Sequence, residues 1–203
     1  MVSVKVYVEG GGDGRELRAR CRRGFSSFFG KAGLVGRMPK IIACGGRQRA
    51  YDKFRAALAA GNERGFTVLL VDSEDPIAEG SECWLHLRMR DGWNKPDEAT
   101  EDCAHLMTQC MEAWFLADRD CLEAFFGRGF NRNALPGNRN IEEVAKADVL
   151  DGLRNATRQC QPKGEYGKGR HSFEILSEID PSKVQAASPH AERLIDTLRA
   201  KAQ

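Results

Sequence analysis

The uninterrupted apolar run Phe66 to Val71 (FTVLLV) constrains the fold more than any other stretch, because only a strand covered on both faces can bury every one of its side chains. The residues before it set its context. Val2 to Val8 (VSVKVYV) is rich in β-branched residues and predicts a first strand. Arg15 to about Phe29 then carries Leu17, Cys21, Phe25 and Phe28 or Phe29 near i, i+4 spacing, the mark of an amphipathic helix. Lys40 to Cys44 predicts a short strand ended by Gly45 and Gly46. Arg47 to Ala60 predicts a helix burying Tyr51, Phe54 and Leu58 and capped by Gly61 and Asn62. Strand, helix, strand, helix, strand within about seventy residues implies βαβ crossovers and a parallel α/β sheet.

After Pro76 the pattern loosens. Residues 77–103 are polar, hold Trp84 and Trp93, and include the turn-like Asp91-Gly92 and Lys95-Pro96, so a partly helical insertion that gates a site is expected there. His105 to Met111 predicts a fourth strand. Glu112 to Phe126 predicts one helix, or two short ones meeting near Asp118 to Asp120. Beyond Gly127 the pattern is helical with loops. One helix starts at Asn140 and runs to about Arg158, another covers Pro189 to Lys201, and between them lies a glycine-loosened basic loop from Lys163 to His171. The expected organisation is an α/β core over 1–126 with a mainly parallel sheet of about four strands and an insertion at about 77–103. A helical part over 127–203 packs on it in a single compact unit. A chain of 203 residues with 41% hydrophobic content is long enough to bury such a core.

Composition removes several alternatives. A net charge of +2 is too small to identify a nucleic-acid binder by total charge, so local clusters must carry that argument. The seven cysteines and four histidines form no zinc-type spacing and read as reduced, buried residues. Met1 runs into a strand pattern without a leader, and no apolar run approaches the roughly 20 residues of a membrane span. A cytoplasmic protein without membrane association is expected.

The chemistry concentrates where two strands end. Glu9-Gly10-Gly11-Gly12-Asp13 follows the first strand, and Asp72-Ser73-Glu74-Asp75 follows the apolar one. Ligands of parallel sheets sit at the carboxyl ends of the strands. Like charges held there raise each other's pKa, a conflict that a divalent cation resolves. In an extended segment Asp72 and Glu74 share a face, and hard carboxylate oxygens suit Mg²⁺ or Mn²⁺. The glycines lack the lysine and serine or threonine of a P-loop; they read as permissive of a tight turn and of close approach. An acidic turn capping the first helix through Asp13, or an ordinary acidic surface loop, accounts for either cluster taken alone.

Arg15, Arg18, Arg22 and Arg23 on one helix, and Arg47 and Arg49 after the second strand, are either a solvated face or a track for a nucleic-acid backbone. Lys168 and Arg170, flanked by Gly167 and Gly169, are either a solvated loop or a phosphate contact that balances charge on a scissile group. His171 fits packing or capping at least as well as phosphate binding. Trp114 and Phe115 read as core, whereas Trp84 and Trp93 are candidates for substrate or partner contact.

Glu9 after the first strand, with an acidic pair at i and i+2 after a later apolar strand, resembles the Toprim domain of topoisomerases, primases and overcoming-lysogenization-defect (OLD) nucleases. Within that group the chain is similar to an uncharacterised bacterial family of domains of unknown function with Toprim-like features. The similarity is carried by VYVEGGGDGR, LLVDSEDP, MEAWFLADRD and KGRHSFEIL. Glu74 stands where the usual second aspartate would be. The resemblance implies that Glu9 is a metal ligand or general acid/base, and that Asp13, Asp72, Glu74 and Glu112 complete a site for one or two Mg²⁺ or Mn²⁺ ions; in such a site Lys168 or Arg170 would balance charge on the scissile phosphate. It further implies a nuclease acting on DNA or RNA, linked to a separate ATPase partner in phage defence. Hydrolysis of a small nucleotide or phosphate ester, and a non-catalytic module docking to an ATPase, remain as alternative readings.

Overall fold

In the computed structural model, which describes residues 3–61, 65–78 and 80–202, four parallel strands form one sheet. β1 (Ser3–Val8), α1 (Arg15–Phe29), β2 (Lys40–Ala43), α2 (Arg47–Ala59) and β3 (Gly65–Asp72) follow the predicted alternation, and β4 (Ala104–Met107) completes the order β2-β1-β3-β4. Val2 and Asn62, which fell within the predicted first strand and helix cap, lie outside the described residues. Register places Val8 beside both Ala43 and Leu70, and Asp72 beside Met107, so the acidic segments leave the sheet at one edge.

The apolar run in β3 feeds two cores. Val68 and Leu70 join Val6, Val8 and the α1 residues Phe25 and Phe28 on one face. Leu69 and Val71 join Tyr7 and the α2 residues Tyr51 and Phe54 on the other. Alternate side chains thus point to opposite layers, and Val68 to Val71 are fully buried.

Several expectations need correction. The 77–103 segment contains α3 (Cys83–Asp91), and its tryptophans are core residues. Trp93 stacks on Tyr51 with ring centres 4.4 Å apart, Trp84 packs on Phe54 at 5.8 Å, and both indole N–H groups donate to protein oxygens. Burial of large aromatic surface outweighs the polar character of the surrounding sequence. β4 ends at Met107 and not at Met111, and Met111–Ala117 forms a 3₁₀ turn. Asp118 then caps α4 (Arg119–Phe126) by accepting from Cys121 N at 3.3 Å, which is the junction expected near that aspartate. Lys168 belongs to a helix and not to a loop.

The remaining helices are α5 (Lys146–Thr157), α6 (Lys168–Glu178), α7 (Pro181–Ala187) and α8 (Pro189–Lys201). The predicted helix from Asn140 breaks at Val144 and Ala145, whose backbones are extended, so α5 starts only at Lys146. α6 packs parallel to α1: Gly24 faces the Phe173 carbonyl, Ser27 Oγ donates to Ser177 O at 3.0 Å, and Lys31 Nζ donates to Glu178 O at 2.7 Å. Both helices therefore begin at the edge where the strands end. Among the described residues no helix is long and apolar enough to cross a membrane.

Candidate metal and phosphate site

Backbone pairing brings the carboxylates together. Glu9 N donates to Leu70 O at 2.9 Å, one step beyond β1, which sends the Glu9 side chain across the end of β3. There Glu9 Oε2 accepts from Asp72 N at 3.2 Å and from Arg47 Nη1 at 3.3 Å. Gly10 and Gly45 exchange two N–H to carbonyl bonds of 2.8 Å, pinning the two strand ends together. A Cβ on Gly45 would sit 2.7 Å from Gly12 O, and one on Gly11 2.9 Å from Arg18 Cα, so the close turn depends on glycine at both positions.

Asp72 is buried at the end of β3. Its Oδ1 accepts from Met111 N at 2.9 Å, and its Oδ2 faces Lys146 Nζ at 3.4 Å and Lys168 Nζ at 3.9 Å. Glu74 has φ of 67°, the one positive value at a non-glycine position among the described residues, and its N–H reaches Gln109 O at 2.9 Å. Its Oε1 accepts from Lys146 Nζ at 2.6 Å. One oxygen from each of Glu9, Asp72 and Glu74 lies within 4.8 Å of the others. A hard cation bonded at about 2.1–2.5 Å holds its oxygens roughly 3 to 5 Å apart, so these three side chains can hold a metal ion.

Glu112 enters from the 3₁₀ turn and is fully buried. Its Oε1 accepts from Tyr166 Oη and Ser172 Oγ, both at 3.2 Å. Its Oε2 has no hydrogen-bond partner and lies 3.5 Å from Lys168 Nζ. Glu9, Asp72 and Glu112 line one cavity of about 290 Å³ together with Gly10 to Gly12, Leu17, Lys168 and Ser172. A larger groove of about 790 Å³ runs along α2 and residues 92–98, but its charged lining residues are all exposed and converge on no single point.

The electrostatics are incompletely balanced. Five carboxylates, Glu9, Asp72, Glu74, Glu112 and Asp91, face three cations, Arg47, Lys146 and Lys168; Arg90, which touches Asp91, is itself matched by Asp75. Burial, then the charges of Glu112 and Glu9, push the Asp72 carboxyl up to about 7 despite the two lysines. Burial also raises Glu9, with Arg47 only partly offsetting it. Burial works against the charges on Lys146 and Lys168, but the carboxylates outweigh it and raise both pKa values.

Other predicted site residues are placed differently. Asp13 is 85% exposed in its side chain and bound to Arg49 at 2.5 Å and Arg18 at 3.6 Å; three residues with positive φ carry the chain away from the sheet edge before it, so it is no ligand of this cluster. Arg47 is no free phosphate contact, because Asp91 grips it at 2.9 and 2.6 Å and it bonds Glu9 and the Asp72 carbonyl. Arg18 is spent on Asp13 and Gly12 O. His171 is buried against Phe126 and accepts through Nδ1 from Gly167 N at 3.1 Å, which makes it a capping and packing residue. Arg15 and Arg170 are exposed.

Lys146, Asp91, Tyr166 and Ser172 were not anticipated. Ser172 lies inside the KGRHSFEIL stretch, one turn after Lys168, where helical spacing puts the two on one face. Lys146 and Asp91 carry no local signal, since their partners are tens of residues away.

A family model described as Domain of unknown function (DUF4276) matches residues 8–199. No curated protein and no solved structure matches the chain.

Proposed function

The chain belongs to the family described as Domain of unknown function (DUF4276), and within it we propose a Toprim-like nuclease that hydrolyses phosphodiester bonds in DNA or RNA with Mg²⁺ or Mn²⁺. The observation that carries this reading is the meeting of Glu9, Asp72 and Glu74, one oxygen of each within 4.8 Å of the others, beside a cavity lined by Glu9, Asp72 and Glu112, whose Oε2 has no partner. A buried carboxylate oxygen without a donor is costly, and a cation or a water bound to one removes that cost.

Two further features favour an anionic substrate. The parallel helices α1 and α6 both start at Gly14 and Gly167, which offer no side-chain cap, and Leu17, Lys168 and Gly169 from their first turns line the cavity. Free N–H groups and the positive ends of two helix dipoles suit a phosphate. Lys168 is half-exposed and makes no hydrogen bond to Asp72 or Glu112 at its separations of 3.9 and 3.5 Å, so its ammonium remains available to a phosphate oxygen.

A bound divalent cation supplies Lewis acidity toward the phosphoryl group. Glu9, Asp72 and Glu74 hold the cation, and Lys168 with the α6 N-terminus orients the phosphate. Glu112 Oε2, which has no hydrogen-bond partner, would accept a proton from the attacking water as its oxygen bonds phosphorus and the ester P–O bond breaks, the departing oxygen taking a proton from solvent.

The test is cleavage of labelled single-stranded DNA, duplex DNA and RNA by purified protein with Mn²⁺ or Mg²⁺. Glu9→Gln and Asp72→Asn are each expected to lower the rate by at least about 100-fold, the scale of losing one electrostatic contact to a transition state. Undiminished cleavage by either variant excludes the mechanism. The modest cavity volume favours a second reading, hydrolysis of a small phosphate ester. Turnover of p-nitrophenyl phosphate without cleavage of any polymer would select it.

A further inference from the structure

Two lysines reach the carboxylates, and their geometries differ. Lys168 approaches Asp72 and Glu112 no closer than 3.5 Å and stays half-exposed. Lys146 is the first residue of α5, three-quarters buried, with Nζ 2.6 Å from Glu74 Oε1 and 3.4 Å from Asp72 Oδ2. Its ammonium therefore uses lone pairs of two of the three carboxylates that face one another. A dication held by these carboxylates competes with the ammonium for their negative charge, and a second positive charge within about 4 Å repels it strongly wherever water is scarce. The two cations exclude each other from Glu74 in a way that Lys168 and the ion do not.

Release of Lys146 is mechanically simple. The residue stands at a helix start that has no side-chain cap, its backbone N–H is held by Gln109 Oε1 at 3.3 Å, and the four-carbon stem swings without disturbing that anchor.

We propose that Lys146 is the resting counter-cation of this site: its ammonium holds Glu74 and Asp72 together before loading and yields them to the divalent cation. The proposal rests on the metal reading given above. It makes Lys146 a determinant of metal affinity, with a role distinct from that of Lys168.

The test is Mn²⁺ titration followed by electron paramagnetic resonance, with parallel melting curves, on the full chain and on Lys146→Met, Lys146→Gln, Lys146→Arg and Asp72→Asn. Lys146→Met and Lys146→Gln are expected to bind Mn²⁺ at least about tenfold more tightly than wild type, and Lys146→Arg to stay near wild type. Without metal the two neutral variants should melt below wild type, and saturating Mn²⁺ should close the gap. Should Lys146→Met fold poorly, Lys146→Gln decides. Binding by the neutral variants that equals or falls below wild type overturns the role of Lys146 while leaving the metal site standing. Absence of Mn²⁺ uptake in every protein, with Asp72→Asn indistinguishable from wild type, removes the metal site and this role with it.

Discussion

Asp72 receives one good hydrogen bond, from Met111 N at 2.9 Å, on a carboxyl group that burial and the neighbouring Glu112 and Glu9 push up to about 7. Glu74 beside it adopts a left-handed backbone, which costs a side-chain-bearing residue about 1–2 kcal/mol. Unfavourable choices at two positions one residue apart, both ending on one cluster, are what a ligand site looks like when the ligand repays the strain. His105 shows how a buried titratable group behaves away from such a site. Arg193 Nη1 can only donate, so His105 Nδ1 accepts at 3.3 Å and the proton sits on Nε2, which donates to Asp102 O at 3.1 Å. Burial, then Arg193, lower its pKa to about 3. The unfolded chain binds that proton more readily than the folded one, so this contribution to stability is complete above about pH 6.5 and is lost progressively as pH falls below it. In His105→Gln the drop in melting temperature between about pH 7.5 and 5.5 is expected to shrink. An unchanged drop would assign the acid sensitivity to other groups.

At the scale of elements, the site depends on two contacts between elements, one on each face of the sheet. Gly24 lets α1 and α6 approach: a Cβ there would stand 2.7 Å from Phe173 O. Gly24→Ala is expected to cost about 1–3 kcal/mol and several degrees of melting temperature, and to shift Lys168 out of register with Glu112. Gly30 is the control, because its backbone is right-handed helical and the nearest atom to an added Cβ is Val35 Cγ2 at 3.9 Å. Equal melting of Gly24→Ala and Gly30→Ala would show that the helix contact is slack. On the other face, α3 ends in Asp91, whose carboxylate holds Arg47 against Glu9 and the Asp72 carbonyl. Burial works against the charge on Asp91, but its bonds to Arg47 outweigh it and keep its pKa low. The insertion thus acts as a brace for Glu9, with its tryptophans forming the layer that fixes α3 in place.

For the whole molecule, the sheet edge gathers negative charge that the cations facing it among the described residues do not fully balance, so a cation bound there would stabilise the fold. Mg²⁺ or Mn²⁺ at about 100 times its dissociation constant should stabilise wild type by about 2.7 kcal/mol, and Asp72→Asn should lose that response. A melting temperature insensitive to millimolar metal in wild type would count against the site. The sequence by itself determined the layered α/β plan, because strand and helix periods are local properties. An apolar run such as Phe66 to Val71 has no stable setting except between two covered faces. It also determined that Glu9, Asp72 and Glu74 leave the sheet at one edge, since parallel strands end together. Tertiary structure alone decided which partners meet them. Asp13 lies four residues from Glu9 yet turns away to Arg49, while Lys146 crosses 72 residues to reach Glu74. The reason is physical: a backbone period fixes the direction of a side chain, but the charge it encounters is set by helices that fold back from distant parts of the chain.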